Sequence, residues 1–167
     1  MSRSETRGIK RSRGRDVIGL AGWLAACLGI AQAGALVTGP AIPGWYAQLA
    51  KPVWTPPSLA FPIVWTALYI TMAVAVWLVW RETGLASAPI ALFIIQLGLN
   101  AAWSWIFFGL RSPGAAFTEI LLLWLAILAT TLAFLRRRRL AGWLLVPYLA
   151  WASFAAVLNF TIWRMNA

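Results

Sequence analysis

The sequence predicts an all-α integral membrane protein, a bundle of five transmembrane helices. Three observations lead there. Of the 167 residues, 62% are apolar and only 11% charged, where a soluble domain carries about 25% charged residues. Five apolar runs, 17–37, 61–80, 88–108, 115–135 and 140–163, each reach the roughly 20 residues a helix needs to cross the hydrocarbon. None of them alternates with the period of two that a membrane β-barrel requires, and in lipid a helix satisfies its own backbone groups whereas a single strand cannot.

The elements follow in order. Residues 1–16 form a basic tail holding Arg3, Arg7, Lys10, Arg11, Arg13 and Arg15. The first span begins at Val17. A basic stretch, an apolar run and then Ala31-Gln32-Ala33 resemble a signal peptide with its cleavage site. The apolar run, however, continues through Gly34 to Val37, so the first helix is expected to be retained. Arg81-Glu82-Thr83-Gly84 closes the second span. Gly109 to Gly114, with Arg111 and Pro113, closes the third. Arg136 to Arg139 separates the last two.

Five spans place the termini on opposite sides. Eleven basic residues (the six of the tail, Arg81 and Arg136 to Arg139) fall on one side, and Lys51, Arg111 and Arg164 on the other. The positive-inside rule makes the first side cytoplasmic, with the C-terminus outside. The net charge of +10 is thereby explained. The tail reads as a solvated segment drawn to anionic lipid, with no nucleic acid as partner.

Three connections are short. The first, Thr38 to Ala60, is long and carries five prolines together with Trp45, Tyr46 and Trp54. Long loops in compact domains are usually functional or disordered, and the aromatics argue against disorder. It reads as an ordered lid on the outer face, made of Trp45, Lys51, Pro52, Trp54, Pro56 and Pro57. Thr55 is the expected cap of the second helix, and Pro56 its first residue.

The run Trp45-Tyr46-Ala47-Gln48-Leu49-Ala50-Lys51-Pro52-Val53-Trp54-Thr55-Pro56-Pro57 closely resembles the first-loop signature of the tryptophan-rich sensory protein / translocator protein family (TspO/MBR, or peripheral benzodiazepine receptor). The resemblance continues through Phe61-Pro62-Ile63-Val64-Trp65-Thr66-Ala67-Leu68-Tyr69 and resumes at Gln96-Leu97-Gly98-Leu99-Asn100-Ala101-Ala102-Trp103-Ser104. It closes at Pro147-Tyr148-Leu149-Ala150-Trp151 and Leu158-Asn159-Phe160-Thr161-Ile162-Trp163-Arg164. It implies a five-helix bundle, often dimeric, that binds porphyrins and, in animal members, cholesterol and synthetic ligands. Bacterial members resemble sensors or regulators tied to tetrapyrrole metabolism or stress, so a bacterial source is expected. The proposed cholesterol motif of animal members is incomplete here, with Phe160 where Tyr is expected, and cholesterol is not the expected ligand.

Depth along each helix locates a pocket. At about 1.5 Å per residue, Trp65 lies about 6 Å and Tyr69 about 12 Å below the outer end of the second helix, on one face. Asn100 and Trp103 share a stripe with Gln96, at about 12 and 8 Å, and Trp151, Ala155 and Asn159 form another, at about 18, 12 and 6 Å. With Tyr46 from the loop, these make an aromatic site with a few polar groups under a lid, suited to a flat apolar ligand. Asn100 and Asn159 read equally well as interhelical hydrogen bonds. Trp23, Trp80, Trp143 and Trp163 read as an interface belt, and Trp77, Trp105 and Trp124 receive no role.

There is no His and a single Cys, Cys27. The absence of His removes the usual haem ligand, so the expected ligand is a metal-free porphyrin such as protoporphyrin IX. It would be held by stacking, with Lys51 or Arg164 placed for its carboxylates, and no cofactor or metal is obligatory. No nucleophile or acid–base pair is visible, which disfavours an enzyme. The alternatives are a porphyrin-degrading enzyme working through Trp chemistry and a transporter of tetrapyrroles or lipids. Glu119, the one acid within a span, reads as a helix-start group favoured by the dipole. Small residues recur every four positions at Ala21, Ala25, Gly29 and Ala33, and at Gly98 and Ala102. One ridge is expected inside the bundle and the other, the Gly98/Ala102 face, at a homodimer seam.

Overall fold

The computed structural model describes residues 13–167. Arg3, Arg7, Lys10 and Arg11 therefore lie outside the described residues. Five helices carry the chain: α1 (Arg13–Ala41), α2 (Ala60–Thr83), α3 (Ala88–Ser104), α4 (Pro113–Arg137) and α5 (Arg139–Met165). All five are long and apolar enough to cross a membrane once the turns that extend α1 and α3 are included. They pack as a ring in the order α1, α2, α5, α4, α3 and back to α1. One end of the bundle holds the start of α1, the 84–87 turn and the α4–α5 turn, and is called here the basic end. The other holds residues 49–59, the 110–112 turn and the C-terminus, and is the loop end.

Helical backbone does not stop at 37. It runs through Pro40 to Ala41 and then widens into a π-helical turn, Ile42–Tyr46, before irregular chain begins at 49. Trp45 and Tyr46, expected in a loop, thus stand on a helical extension. Pro40 and Pro43 lack the N–H that ordinary helix would use, and a π turn absorbs such a gap. Packing then holds it, because Trp45 lies 5.7 Å from Phe107. A matching π turn, Trp105–Gly109, extends α3, closed by Leu110 N–H donating to Trp105 O at 2.8 Å.

The expected cap is also different. α2 starts at Ala60, with no side-chain cap. The Thr55 hydroxyl donates instead to Pro52 O at 2.7 Å, tightening a turn. Five residues ahead of the helix, that hydroxyl is out of reach of its first amides. Pro56 is likewise not the first helical residue.

The half nearer the basic end is a dense apolar core. Met72, Ala73, Val76, Val79, Ile90, Phe93, Phe134 and Ala141 are all fully enclosed. Phe93 stacks on Phe134 at 6.0 Å and receives Trp23 edge-on at 5.8 Å. Gly142 lets α5 turn back on α4, since a Cβ there would meet Leu135 Cγ at 2.3 Å and its backbone N at 2.8 Å. Asp16 accepts from Arg81 at 2.9 Å, Arg81 covers the Trp77 ring, and Trp77 Nε1 donates to Asp16 O at 2.9 Å. Trp77 thereby gains a fastening role between α1 and α2. Trp124 gains a similar one, donating to Ser153 at 2.8 Å, while Trp105 is exposed.

Neither small-residue ridge packs inside. Ala21, Ala25 and Gly29 are exposed, as is Gly98, while Ala33 and Ala102 are half-buried. The buried line of α1 is Cys27, Gly34 and Ala41, spaced by seven. That spacing keeps one face toward α2 and α3, and Gly34 comes within 3.2 Å of Ser104 when given a Cβ.

Candidate functional site

The loop half carries rings and polar groups in three adjoining sets. In the first, Trp65 of α2 lies 5.6 Å from Tyr69 and 6.1 Å from Tyr148. Tyr69 OH donates to Asn100 Oδ1, and Asn100 Nδ2 donates to Tyr148 OH at 2.9 Å. Asn100 thus ties α2, α3 and α5 together in the membrane interior, where an amide needs internal partners. Tyr148, which the pocket reading omitted, is fully buried. Its signal lay in the sequence, since it stands three residues before Trp151 and seven before Ala155, along the stripe already drawn on α5.

The second set is built by the π turn of α3. Trp103 stacks on Phe107 at 5.1 Å, and Phe107 meets Trp45, Tyr46 and Phe108. Trp103 Nε1 donates to Asn159 Oδ1 at 3.0 Å, while Asn159 Nδ2 donates to Pro113 O at 2.7 Å. Asn159 therefore acts as the interhelical glue that was one of its two readings. Tyr46 belongs here rather than with Trp65. The third set holds Trp151 against Phe61 at 5.9 Å and Phe154 at 5.4 Å, with Trp54 of the loop on Phe154 at 5.9 Å. Ala155 packs half-buried beside the main core. Phe107, Phe108, Phe61 and Phe154 were not anticipated. No sequence signal marks the π turn that aims the first two.

The loop is held in two places. Lys51 Nζ donates to the carbonyls of Tyr46 at 2.7 Å, Leu49 at 2.8 Å and Ala47 at 3.4 Å, and sits over the Tyr46 ring. An ammonium has three protons, so Lys51 closes the end of the α1 extension and has none left for a ligand carboxylate. Arg164, exposed at the end of α5, keeps that possibility. Asn166 forms a two-way pair with Ala50: Ala50 N–H donates to Asn166 Oδ1 at 3.0 Å, and Asn166 Nδ2 donates back to Ala50 O at 2.9 Å. Pro52 serves as acceptor for Thr55, Pro57 O accepts from Ala60 N–H, and Pro56 is half-buried.

Several buried polar atoms have no partner. Both side-chain atoms of Gln96, both carboxyl oxygens of Glu119 and Trp151 Nε1 make no hydrogen bond. Gln96 is 1% exposed and Glu119 8%. Glu119 is thus no cap: it lies beyond the first turn of α4, whose start carries no side-chain cap. Such atoms are uncommon, and each calls for a reason.

Within each set the rings rest on one another. Two hollows lie away from them. One of about 330 Å³ is lined by Ala88, Pro89, Leu92, Ala133, Arg136 and Arg137. The other, of about 280 Å³, lies beside Gly19, Trp23 and Trp80.

Comparison with known proteins agrees with this architecture. The profile of the TspO/MBR family matches residues 23–164. The chain is 43% identical over 156 residues to the tryptophan-rich protein TspO of Chlorobaculum tepidum, covering 91% of this chain and 98% of that one. It is 45% identical over 126 residues to the human translocator protein, covering 73% and 75%. It is 36% identical over 148 residues to protein CrtK of Rhodobacter capsulatus, covering 86% and 90%. With five membrane-length helices and a match that runs from the middle of α1 to the end of α5, the chain belongs to the TspO/MBR family of membrane sensor and translocator proteins.

Proposed function

We propose that this protein binds a flat, apolar ligand of the tetrapyrrole class, with protoporphyrin IX as the representative, and acts as a sensor or regulator in the membrane. The observation that carries the reading is the set of orphaned polar atoms on Gln96, Glu119 and Trp151, between the middle of the bundle and the aromatic rings of its loop half. A planar ligand with N–H and carboxyl groups supplies both ring faces to stack and partners for such atoms. Binding has to part the ring contacts of Trp65 with Tyr69 and Tyr148, so the bound state differs from this one, and the ligand selects or creates it. The core of the basic half is mostly apolar, and the hydroxyls of its buried Thr130 and Thr131 are engaged by their own helix, which favours a one-sided binding pocket over a transport route.

The test is a titration of the purified full chain with protoporphyrin IX, read by tryptophan fluorescence, beside Trp65→Phe and Trp151→Phe. Saturable quenching is expected, with affinity falling about fivefold in each variant, the scale of one aromatic contact. Non-saturable quenching, or equal affinity in all three proteins, would overturn the reading. The fold and family would stand in either case.

A further inference from the structure

We propose that the groove between α3 and α4 at the basic end is a binding site for one anionic phospholipid. Its phosphate is held by Arg136 and Arg137, and its acyl chain lies along Leu92 and Ala133. The hollow is made by small side chains: Ala88 of α3 and Ala133 of α4 leave about 330 Å³ between helices that otherwise pack closely. On the buried side of the same turns, Phe93 stacks on Phe134 and closes the groove toward the core. The opening faces out of the bundle, where lipid lies in a membrane.

Charge selects the occupant. Two acidic residues stand at the basic end among the described residues, and both are taken: Asp16 by Arg81 at 2.9 Å and Glu82 by Arg138 at 3.1 Å. Arg136 and Arg137 line the groove with no acid opposite them. They stand three and four residues, about one turn, from Ala133 on one face of α4, so guanidinium and apolar wall meet the same molecule. The first turn of α3 lines the groove as well, and Ser87 does not cap it, its hydroxyl meeting Thr83 at 2.9 Å and Gly84 O at 3.4 Å. The positive pole of α3 adds to the two guanidiniums. A phosphate joined to an acyl chain matches all of this: guanidinium binds phosphate with paired donors, and basic pockets between membrane helices bind anionic head groups.

The experiment uses the full chain in bilayer discs of phosphatidylglycerol and phosphatidylcholine in equal parts, extracted gently and weighed intact with its retained lipid. One phosphatidylglycerol per chain is expected, at least tenfold in excess over phosphatidylcholine. The double variant Arg136→Gln/Arg137→Gln is expected to weaken retention about tenfold to thirtyfold. Ala133→Trp, which fills the groove without changing charge, should weaken it comparably. The control Arg13→Gln/Arg139→Gln removes the same charge from exposed positions outside the groove and should retain the lipid. Equal retention of both lipids, or equal loss in the control, would reduce the effect to diffuse surface charge and sink the proposal. Displacement by millimolar inorganic phosphate would make the site one for a small anion and would sink it equally. A thermal melt of each variant separates loss of lipid from loss of fold.

Discussion

In the basic half of the bundle the enclosed side chains are Met72, Val76, Phe93, Ile127 and Phe134; in the loop half, residues of similar burial are Asn100, Glu119 and Asn159, with Gln96 near the middle of α3. Of the polar groups in the first half, Thr130 and Thr131 are buried and donate to carbonyls of their own helix, while Asp16 at the rim pairs with Arg81 through one carboxyl oxygen and leaves the other without a partner. Asn100 and Asn159 find partners across helices, whereas Gln96, Glu119 and the Trp151 indole N–H keep unpartnered atoms. Apolar interiors pack to a single dense arrangement. Partly satisfied polar interiors cost stability and are retained where they serve something else. The contrast separates a densely packed apolar half from one that keeps amides and a carboxyl inside, which is where the proposed ligand site lies.

Three changes test that contrast, beyond the titration and lipid experiments above. The largest effect is expected from Phe93→Ala, which removes a ring stacked on Phe134 in the dense half. Stability should fall by about 3–5 kcal/mol, read as a lower Tm in detergent, while porphyrin quenching in the surviving folded protein keeps its affinity. If affinity fell in step with stability, the two halves would not be separable. Next in size is Gln96→Leu. An orphaned amide costs about 1–3 kcal/mol, so this variant should melt at a higher temperature than the parent and quench less tightly with protoporphyrin IX. A lower Tm would mean that Gln96 is satisfied within the protein. The smallest effect belongs to Asn166→Ala, which removes two hydrogen bonds to Ala50 worth about 0.5–1.5 kcal/mol each. The effect is local: limited proteolysis within residues 49–59 should speed up severalfold with Tm nearly unchanged. Unaltered cleavage would show that Lys51 alone holds the loop.

Much of the site was readable because depth along a helix follows from counting. Trp65 and Tyr69 share a face, and Trp103 meets Asn159 across two stripes drawn from spacing alone. Tyr148 was missed although it lay on the stripe, and it proves to be the residue that joins Trp65 to Asn100. Lys51 was assigned to a ligand because charge and position suggested it. Its engagement with three carbonyls depends on where the α1 extension ends, and two prolines made that end look earlier than it is. Glu119 reads as a helix-start group because it is near one in sequence, whereas its burial comes from the packing of α4 in the bundle.

Composition and hydropathy by themselves determined that this chain is a membrane protein of five helices, because a run of about 20 apolar residues has few other stable fates in a cell. The motif run around Trp45 to Tyr69 already pointed to the family. The tertiary structure decided which helix neighbours which, that α1 and α3 end in π turns facing one another, and which polar atoms go without partners. Those outcomes rest on contacts between residues far apart in the chain, such as Trp45 with Phe107 or Asn166 with Ala50. Periodicity within one helix names the face that turns inward; it carries no record of what that face will meet.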